Sequence, residues 1–173
     1  SRWVSSSHFM IEIHPTAYVS PLADIEESVK GSKIIIGPDS YIDAFVKIKA
    51  AGGVGNITIG RQSFINSGCV LYIGNGIAIG DNVSIAANCV FAPTSHEFED
   101  RNVLHQMQGF RPSRGGIVIE DDVWIGAGSV LLDGSKIARG GIIGACSLVR
   151  GVTDEFGVYV GNPLAKRGER TTK

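Results

Sequence analysis

Large aliphatic residues recur at every sixth position along most of the chain. In the C-terminal half they stand at Ile119, Ile125, Leu131, Ile137, Ile143 and Val149. A small or short residue follows each of them four places later, as Val123, Ser129, Ser135, Gly141, Ser147 and Thr153. The same spacing occurs in shorter sets that begin at Ile13, Ile36, Ile59 and Ile79. This period fits neither a helix, at about 3.6 residues, nor a half-buried strand, at about 2.

A six-residue period predicts short strands joined by sharp turns, with three repeats closing one triangular coil. The fold class that follows is an all-β parallel β-helix of about six triangular coils over residues 13–154, with one long loop at 97–118 and a short C-terminal tail. The large residues would fill the interior, and the small ones would fit the corners. Cys69 and Cys89 hold the small position, so we interpret them as core residues and not as redox groups.

Two segments flank the predicted coils, a lead-in at 1–12 and the tail at 155–173. Met10 is a suitable natural start, so we expect the first nine residues to be partly foreign to the natural protein. They lack the apolar segment and the cleavage site of a secretory signal. Three cysteines without metal-ligand spacing suit a reducing compartment, and together these features predict a cytoplasmic protein.

The longest break in the repeat, residues 97–118, separates the unit that ends at His96 from the unit that starts at Ile119. It is polar and charged and has no clear periodicity, and a loop of this length is usually functional. His96 stands at its root, where a rigid strand would hold the side chain. A neutral imidazole titrates near working pH, so His96 is our candidate general base.

The other histidines are weaker candidates. We expect His8 and His14 at the surface, and His105 either in contact with a substrate or in solvent. A zinc site needs about three convergent histidines, and only His96 and His105 qualify, so we predict no metal. The net charge is -1 and no basic run interleaves with aromatic residues, which disfavours nucleic acid as a partner. No apolar stretch approaches the roughly 18 residues of a membrane span.

Three segments carry a resemblance to a known superfamily: IGDNVSIAANCVFAPTSHEF from Ile79 with QGF at Gln108, IVIEDDVWIGAGSVLL from Ile117, and VGNPLAK near the end. They resemble hexapeptide-repeat acyltransferases, in particular the galactoside, maltose and surface-polysaccharide O-acetyltransferases. The combination of TSHEF and QGF is similar to the surface-polysaccharide and streptogramin-type enzymes. The resemblance implies left-handed coils, acetyl-CoA as co-substrate, and a homotrimer with active sites between subunits.

Site residues follow from the same resemblance, position by position. His96 matches the catalytic histidine, and Asn66 and Trp124 match residues that line the acceptor site. Ala127 and Ala145 match small residues along the pantetheine arm of CoA. Two alternatives stay open, because Asn66 also suits a stacked, solvent-facing amide and Trp124 also suits a contact between subunits.

The phosphates of CoA call for cations. Arg150 falls near the matching cofactor region, and Lys166 and Arg167 are the tail candidates, with Arg170 as a further one. Relatives carry a basic residue where this chain has Ala165, so a solvated basic tail is an equal alternative.

The function implied is acetyl transfer from acetyl-CoA to a sugar hydroxyl, in bacterial surface-glycan synthesis. Galactoside relatives carry a sugar-binding aspartate where this chain has Gly74, which speaks against the same acceptor. Three alternatives remain: N-acetylation of a nucleotide-linked amino sugar, O-acetylation of a streptogramin-type antibiotic, and a non-catalytic scaffold. The long loop with a histidine at its root disfavours the scaffold.

Overall fold

The computed structural model describes residues 10–173, which wind into stacked coils of three short strands each. The first three coils comprise β1 (Ile11–Ile13), β2 (Tyr18–Val19) and β3 (Asp24–Ile25); β4 (Ile34–Ile36), β5 (Tyr41–Ile42) and β6 (Lys47–Lys49); and β7 (Ile57–Ile59), β8 (Phe64–Ile65) and β9 (Val70–Tyr72). The next three comprise β10 (Ile77–Ile79), β11 (Ser84–Ile85) and β12 (Val90–Ala92); β13 (Ile117–Ile119), β14 (Trp124–Ile125) and β15 (Val130–Leu132); and β16 (Lys136–Ile137), β17 (Ile142–Ile143) and β18 (Leu148–Val149). Two further strands follow, β19 (Gly157–Val160) and β20 (Ala165–Glu169).

Each strand pairs in parallel with the strand one coil away, and the pairing builds three faces. The first face contains β1, β4, β7, β10, β13 and β16; the second runs from β2 through β17; the third runs from β3 through β18. β19 adds to the second face in parallel, and β20 closes that face in antiparallel pairing. The prediction of a left-handed parallel β-helix with about six triangular coils is confirmed.

The six-residue period marks the residues that fill the interior. From the second coil on, every large aliphatic residue of that series is at most 3% exposed, from Ile36 to Val149. The first coil is only half-buried, because no coil within residues 10–173 covers its outer side. On the first face, the three-residue strands point both end residues inward, so Ile34, Ile57 and Ile77 are buried as well.

The small residues stand at the corners, as predicted, and the serines among them are hydrogen-bonded. The buried hydroxyl of Ser63 donates to the Gly80 carbonyl at 2.8 Å, and that of Ser147 donates to the Gly144 carbonyl at 2.7 Å. Cys69 and Cys89 are fully buried at the same kind of corner. Hydroxyl-to-carbonyl bonds at the corners, within a coil or between coils, therefore satisfy polar atoms that the interior would otherwise leave unpaired.

The long loop leaves the third face after β12 and returns at β13. It returns two residues earlier than the sequence predicts, because Ile117 and Val118 already belong to β13 and pair with Ile77 and Ala78. Ile117 is 1% exposed, so its burial on the first face decides the boundary. Within the loop, His105–Met107 form a single 3₁₀ turn. The proposed lead-in at 1–12 falls mostly outside the described residues, and the domain division stays a prediction.

Candidate active site

Two short segments pair at the root of the loop and form a narrow wall. His96 and Phe110 are bridge partners in antiparallel register, and the N–H of Arg111 donates to the Ser95 carbonyl at 2.8 Å. We call residues 94–97 with 109–111 the loop wall. Side chains of extended segments alternate between the two sides, which separates His96 and Phe110 from Ser95 and Arg111. The loop wall therefore presents a different set of groups to each side.

On one side of the loop wall lies a depression that contains the candidate base. We call it the histidine groove, and its lining residues are Ala51, Tyr72, Gly74, Ala92, Thr94, His96 and Phe110. A neighbouring depression shares four of these residues and extends along the corner to Lys30. The groove thus runs from His96 toward the N-terminal coils, along the corner between the third and first faces.

The imidazole of His96 is exposed, and its ring packs on the ring of Phe110. The ring centroids are 4.5 Å apart and the planes are inclined by 38°. Among residues 10–173, no side chain or backbone group forms a hydrogen bond with the imidazole nitrogens. Stacking on Phe110 and the backbone pairing of the loop wall are what orient this ring in the isolated chain.

Gly74 lies against Thr94 in the floor of the histidine groove. It has a φ of +45°, and a Cβ there would lie 2.2 Å from the Thr94 hydroxyl oxygen. An aspartate at this position would need both a strained backbone and a displaced Thr94. The packing of the groove around residue 74 therefore favours glycine over the aspartate of the galactoside relatives.

Internal hydrogen bonds hold the loop in a defined shape. The Gln108 amide donates to the carbonyls of Asp100 and Val103, at 2.8 Å each. Arg111 donates to the Glu99 carboxylate at 2.8 Å, and its guanidinium lies 4.7 Å from the centre of the Phe98 ring. Sequence patterns gave no role to Gln108 or Arg111, although the QGF motif marked the place of the first.

Asp133 anchors the end of the loop to the coils. Its carboxylate accepts the backbone N–H groups of Arg114 and Gly116, at 2.8 Å each, and the Asn75 amide at 3.1 Å. Asp133 is 8% exposed, so these three donors offset the cost of burying its charge. We did not predict this residue, and a charged residue directly after the apolar pair Leu131 and Leu132 was the available signal.

On the opposite side of the loop wall lies a second depression, which we call the arginine cleft. Ser95, Arg111, Arg114, Asp133 and Arg150 contribute its polar lining. Arg150 was predicted as a cofactor ligand, and the structure brings it together with two arginines of the loop. The two sides of the loop wall are therefore chemically distinct, one aromatic with an imidazole and the other cationic.

The remaining predicted residues do not meet His96 within one chain. Asn66, Ala127 and Ala145 lie at the corner between the second and third faces, and Trp124 lies on the second face just before that corner. The Asn66 amide donates to the Ile85 carbonyl at 2.7 Å, as a stacked corner amide would. Trp124 is 51% exposed between Ser84 and Ile142 of the neighbouring strands.

The basic residues of the tail differ in whether they form ion pairs within the chain. The Lys166 ammonium lies 2.8 Å from the Asp154 carboxylate and also contacts Glu169, and hydrogen bonding to these carboxylates raises its pKa. Arg170 pairs with Asp122 at 2.8 Å. Arg167 forms no ion pair with any described residue, so it retains a free guanidinium for a ligand.

The other described histidines, His14 and His105, lie outside the histidine groove. Within residues 10–173, no group of three or more His, Cys, Asp or Glu side chains could hold a metal ion. His105 lies exposed in the loop, and His14 contacts the Thr16 hydroxyl at 2.9 Å. His8 lies outside the described residues. In the part of the chain that the structure describes, no helix could cross a membrane.

Comparisons with known proteins agree with the fold. Residues 116–151 match a family model described as bacterial transferase hexapeptide, six repeats. The probable acetyltransferase Rv3034c of Mycobacterium tuberculosis is 31% identical over 153 residues, 88% of this chain and 46% of that protein. The galactoside O-acetyltransferase of Lactococcus lactis is 31% identical over 98 residues, 56% of this chain and 42% of that protein.

The chain spans about half the length of the curated relatives it matches. One of them has a different chemistry: gamma carbonic anhydrase 1 of Arabidopsis thaliana is 33% identical over 132 residues, 70% of this chain and 46% of that protein.

Among solved structures, a mutant of AntD from Bacillus cereus matches over almost the whole chain. AntD is described as an N-acyltransferase, in complex with dTDP-4-amino-4,6-dideoxyglucose and coenzyme A. It is 26% identical with a TM-score of 0.79, and the match covers 95% of this chain and 86% of that chain. The chain therefore carries the hexapeptide repeat of bacterial transferases, and its resemblance to the hexapeptide-repeat acyltransferases is confirmed.

Proposed function

We propose that the protein transfers an acetyl group from acetyl-CoA to a sugar hydroxyl, in the cytoplasm and in bacterial surface-glycan synthesis. One observation carries the proposal: His96 is exposed at the rim of the histidine groove, on a loop wall whose two segments are held by backbone pairing. A general base must be positioned by its scaffold and still be reachable by substrate. His96 meets both conditions.

The chemistry asked of the chain is modest, because a thioester is already activated. His96 takes the proton of the acceptor hydroxyl as its oxygen attacks the thioester carbonyl carbon. The new C–O bond forms, the C–S bond breaks, and the thiolate of CoA receives the proton from the imidazolium. Alignment of the two substrates and one base supply most of the acceleration. The developing negative charge on the carbonyl oxygen needs an N–H donor close by.

The small residues at the corner between the second and third faces suit the binding of the acyl donor, acetyl-CoA. Ala127 and Ala145 are exposed one coil apart, and the N–H of Cys146 donates to the Ala127 carbonyl at 2.8 Å. Their methyl side chains leave the backbone accessible to the amides of a pantetheine arm. The fit supports the pantetheine arm of CoA at this corner, with Arg167 of the tail as a cation available for its phosphates.

Two half-sites on different corners support a site that forms between subunits. His96 lies at one corner of the prism, whereas Asn66, Ala127 and Ala145 lie at another. Stacking three copies around a threefold axis would place one corner against the next subunit, and closed symmetry of this kind is common among oligomers. We therefore propose a homotrimer in which each active site combines the two corners.

A second candidate function is N-acetylation of a nucleotide-linked amino sugar. The similarity to AntD favours it, since that match covers 95% of this chain and AntD was crystallised with such a sugar and with coenzyme A. The groove also ends at Lys30, whose ammonium contacts only the Gly52 carbonyl, at 2.9 Å, within residues 10–173. A cation at the end of the groove away from His96 suits the phosphates of a nucleotide-linked acceptor.

The deciding experiment measures thiol release from acetyl-CoA with a galactoside, a nucleotide-linked amino sugar and a streptogramin as acceptors. We expect acceptor-dependent release that falls by about 100-fold or more in His96→Ala. His105→Ala is the matched control, because it removes an exposed loop histidine outside the groove. Undiminished turnover in His96→Ala, or no release with any acceptor, would refute the proposal.

A further inference from the structure

The arginine cleft has the charge of an anion site. Three arginines and one aspartate are among its lining residues. Arg114 and Arg150 form no ion pair with any of the described residues, and both are exposed. Guanidinium groups bind phosphate oxygens with two parallel N–H donors, which suits them to phosphate better than to isolated charges. The cleft therefore contains two arginines, Arg114 and Arg150, whose guanidinium groups have no ion-pair partner among the described residues.

The Asp133 carboxylate in the cleft does not form an ion pair with either of these guanidinium groups. Oδ2 of Asp133 accepts the Arg114 N–H and the Asn75 amide, and Oδ1 accepts the Gly116 N–H. These donors are backbone and amide groups, so the side chains of Arg114 and Arg150 remain unpaired. Arg111 differs, because its charge is shared with the Glu97 and Glu99 carboxylates, at 3.4 and 2.8 Å.

The backbone holds Arg114 in place at the cleft. Its own N–H is fixed by Asp133, and its side chain lies against Gly134 at the next corner. A Cβ on Gly134 would lie 2.9 Å from the Arg114 Cβ, and the φ of Gly134 is +84°. Only a glycine allows this approach without displacing Arg114. Asp133 therefore fixes the backbone of Arg114, and the missing side chain at Gly134 leaves room for the arginine side chain.

We propose that the arginine cleft binds the phosphate groups of a substrate, with Arg114 and Arg150 as the principal ligands. The inference rests on the proposed function for the identity of the substrate, which is either CoA or a nucleotide-linked acceptor. The position supports it, because Ser95 and Arg111 line the cleft from the same loop wall that carries His96 on its other side. A long substrate anchored there by its phosphates could extend around the loop wall toward the histidine groove.

Titration calorimetry on the full chain tests the proposal with two probes, CoA and dTDP. We expect Arg114→Gln and Arg150→Gln each to weaken binding of at least one probe by about tenfold or more, the usual loss for a charged hydrogen bond. Arg101→Gln is the matched control, since Arg101 is an exposed loop arginine outside the cleft. Thermal unfolding of each variant confirms that the coils are intact.

The pattern of losses identifies the ligand. A loss confined to CoA assigns the cleft to the donor, a loss confined to dTDP assigns it to the acceptor, and a loss of both shows a site for either diphosphate. Wild-type affinity for both probes in both variants would overturn the proposal, as would a wild-type chain that binds neither. Arginine-dependent binding without any acetyl transfer would instead retain the cleft and remove the proposed function.

Discussion

The imidazole of His96 rests on the phenyl ring of Phe110, with 4.5 Å between the ring centroids. The two residues are also bridge partners across the loop wall, so backbone pairing and ring contact act on the same side chain. Because no described residue forms a hydrogen bond with the imidazole nitrogens, the ring contact replaces the polar partner that usually orients a catalytic histidine. A base positioned by stacking depends on the aromatic ring beneath it.

Phe110→Ala should therefore lower kcat more than it raises KM. Loss of the ring frees the imidazole to adopt unproductive rotamers, and small errors in alignment are costly to a general base. We expect kcat to fall by about tenfold, with kcat recovering in Phe110→Tyr, which restores the ring. Steady-state kinetics measure both constants. Leu104→Ala is the control, because Leu104 is 73% exposed in the same loop. Equal kcat in Phe110→Ala and wild type would show that the ring does not position His96.

Mixed trimers provide a direct test of a site shared between subunits. His96→Ala removes the base at one corner, and Ala145→Trp blocks the small-residue path at the other. Each variant alone should be inactive, whereas random co-assembly of equal amounts should restore about a quarter of the wild-type rate, since one interface in four has both corners intact.

The readout of the mixing experiment is thiol release after refolding the two variants together. A mixture of His96→Ala with His96→Gln is the control, because no interface in it contains an intact base. Recovery only in the first mixture places His96 and Ala145 in one site from two chains. Absence of recovery, with trimers present by analytical ultracentrifugation, would contradict the shared site.

Periodicity predicted the fold and the place of the long loop because both depend on local order along the chain. A period of six determines which side chains point inward, and the single long break places the loop and His96 at its root. The side-chain contacts around the root of the loop could not be predicted in the same way. Asp133 and Asn75 are 58 positions apart in sequence, and only the stacking of coils brings them together.

The C-terminal boundary of the loop is a second feature that the periodicity did not predict correctly. Ile117 was placed in the loop because it stands outside the six-residue series, yet it is buried at the start of β13. On the first face, the three-residue strands from β4 to β13 bury the residues at both of their ends, and the two-residue strands of the second face do not. The separation of Asn66 and Trp124 from His96 likewise follows from which corner each repeat reaches, and the sequence does not state where other copies pack.

The tail should show a pH-dependent ion pair. Hydrogen bonding to Lys166 lowers the pKa of the Asp154 carboxyl in the folded chain. A carboxyl with a depressed folded pKa adds stability above its unfolded pKa, about 3.9, and loses it as pH falls through the folded value. Lys166→Met should raise the pKa of Asp154, as measured by NMR of the carboxyl carbon. Lys136→Met is the control, since that ammonium lies 3.3 Å from Glu120 instead. An unchanged Asp154 titration in Lys166→Met would contradict the pairing.

Asp133→Ala should destabilise the chain and loosen the end of the loop. The substitution leaves two backbone N–H groups and the Asn75 amide without their acceptor, and each buried unpaired donor costs about 1–3 kcal/mol. We expect a loss of about 2 kcal/mol or more in urea unfolding, with proteolysis of the loop at lower protease concentration. Glu155→Ala should change stability by less than about 0.5 kcal/mol, because its only ion pair among the described residues is a surface contact with Arg139. Because Asp133 also anchors Arg114, the same variant should weaken binding at the arginine cleft, whereas wild-type stability in Asp133→Ala would show that the anchor is dispensable.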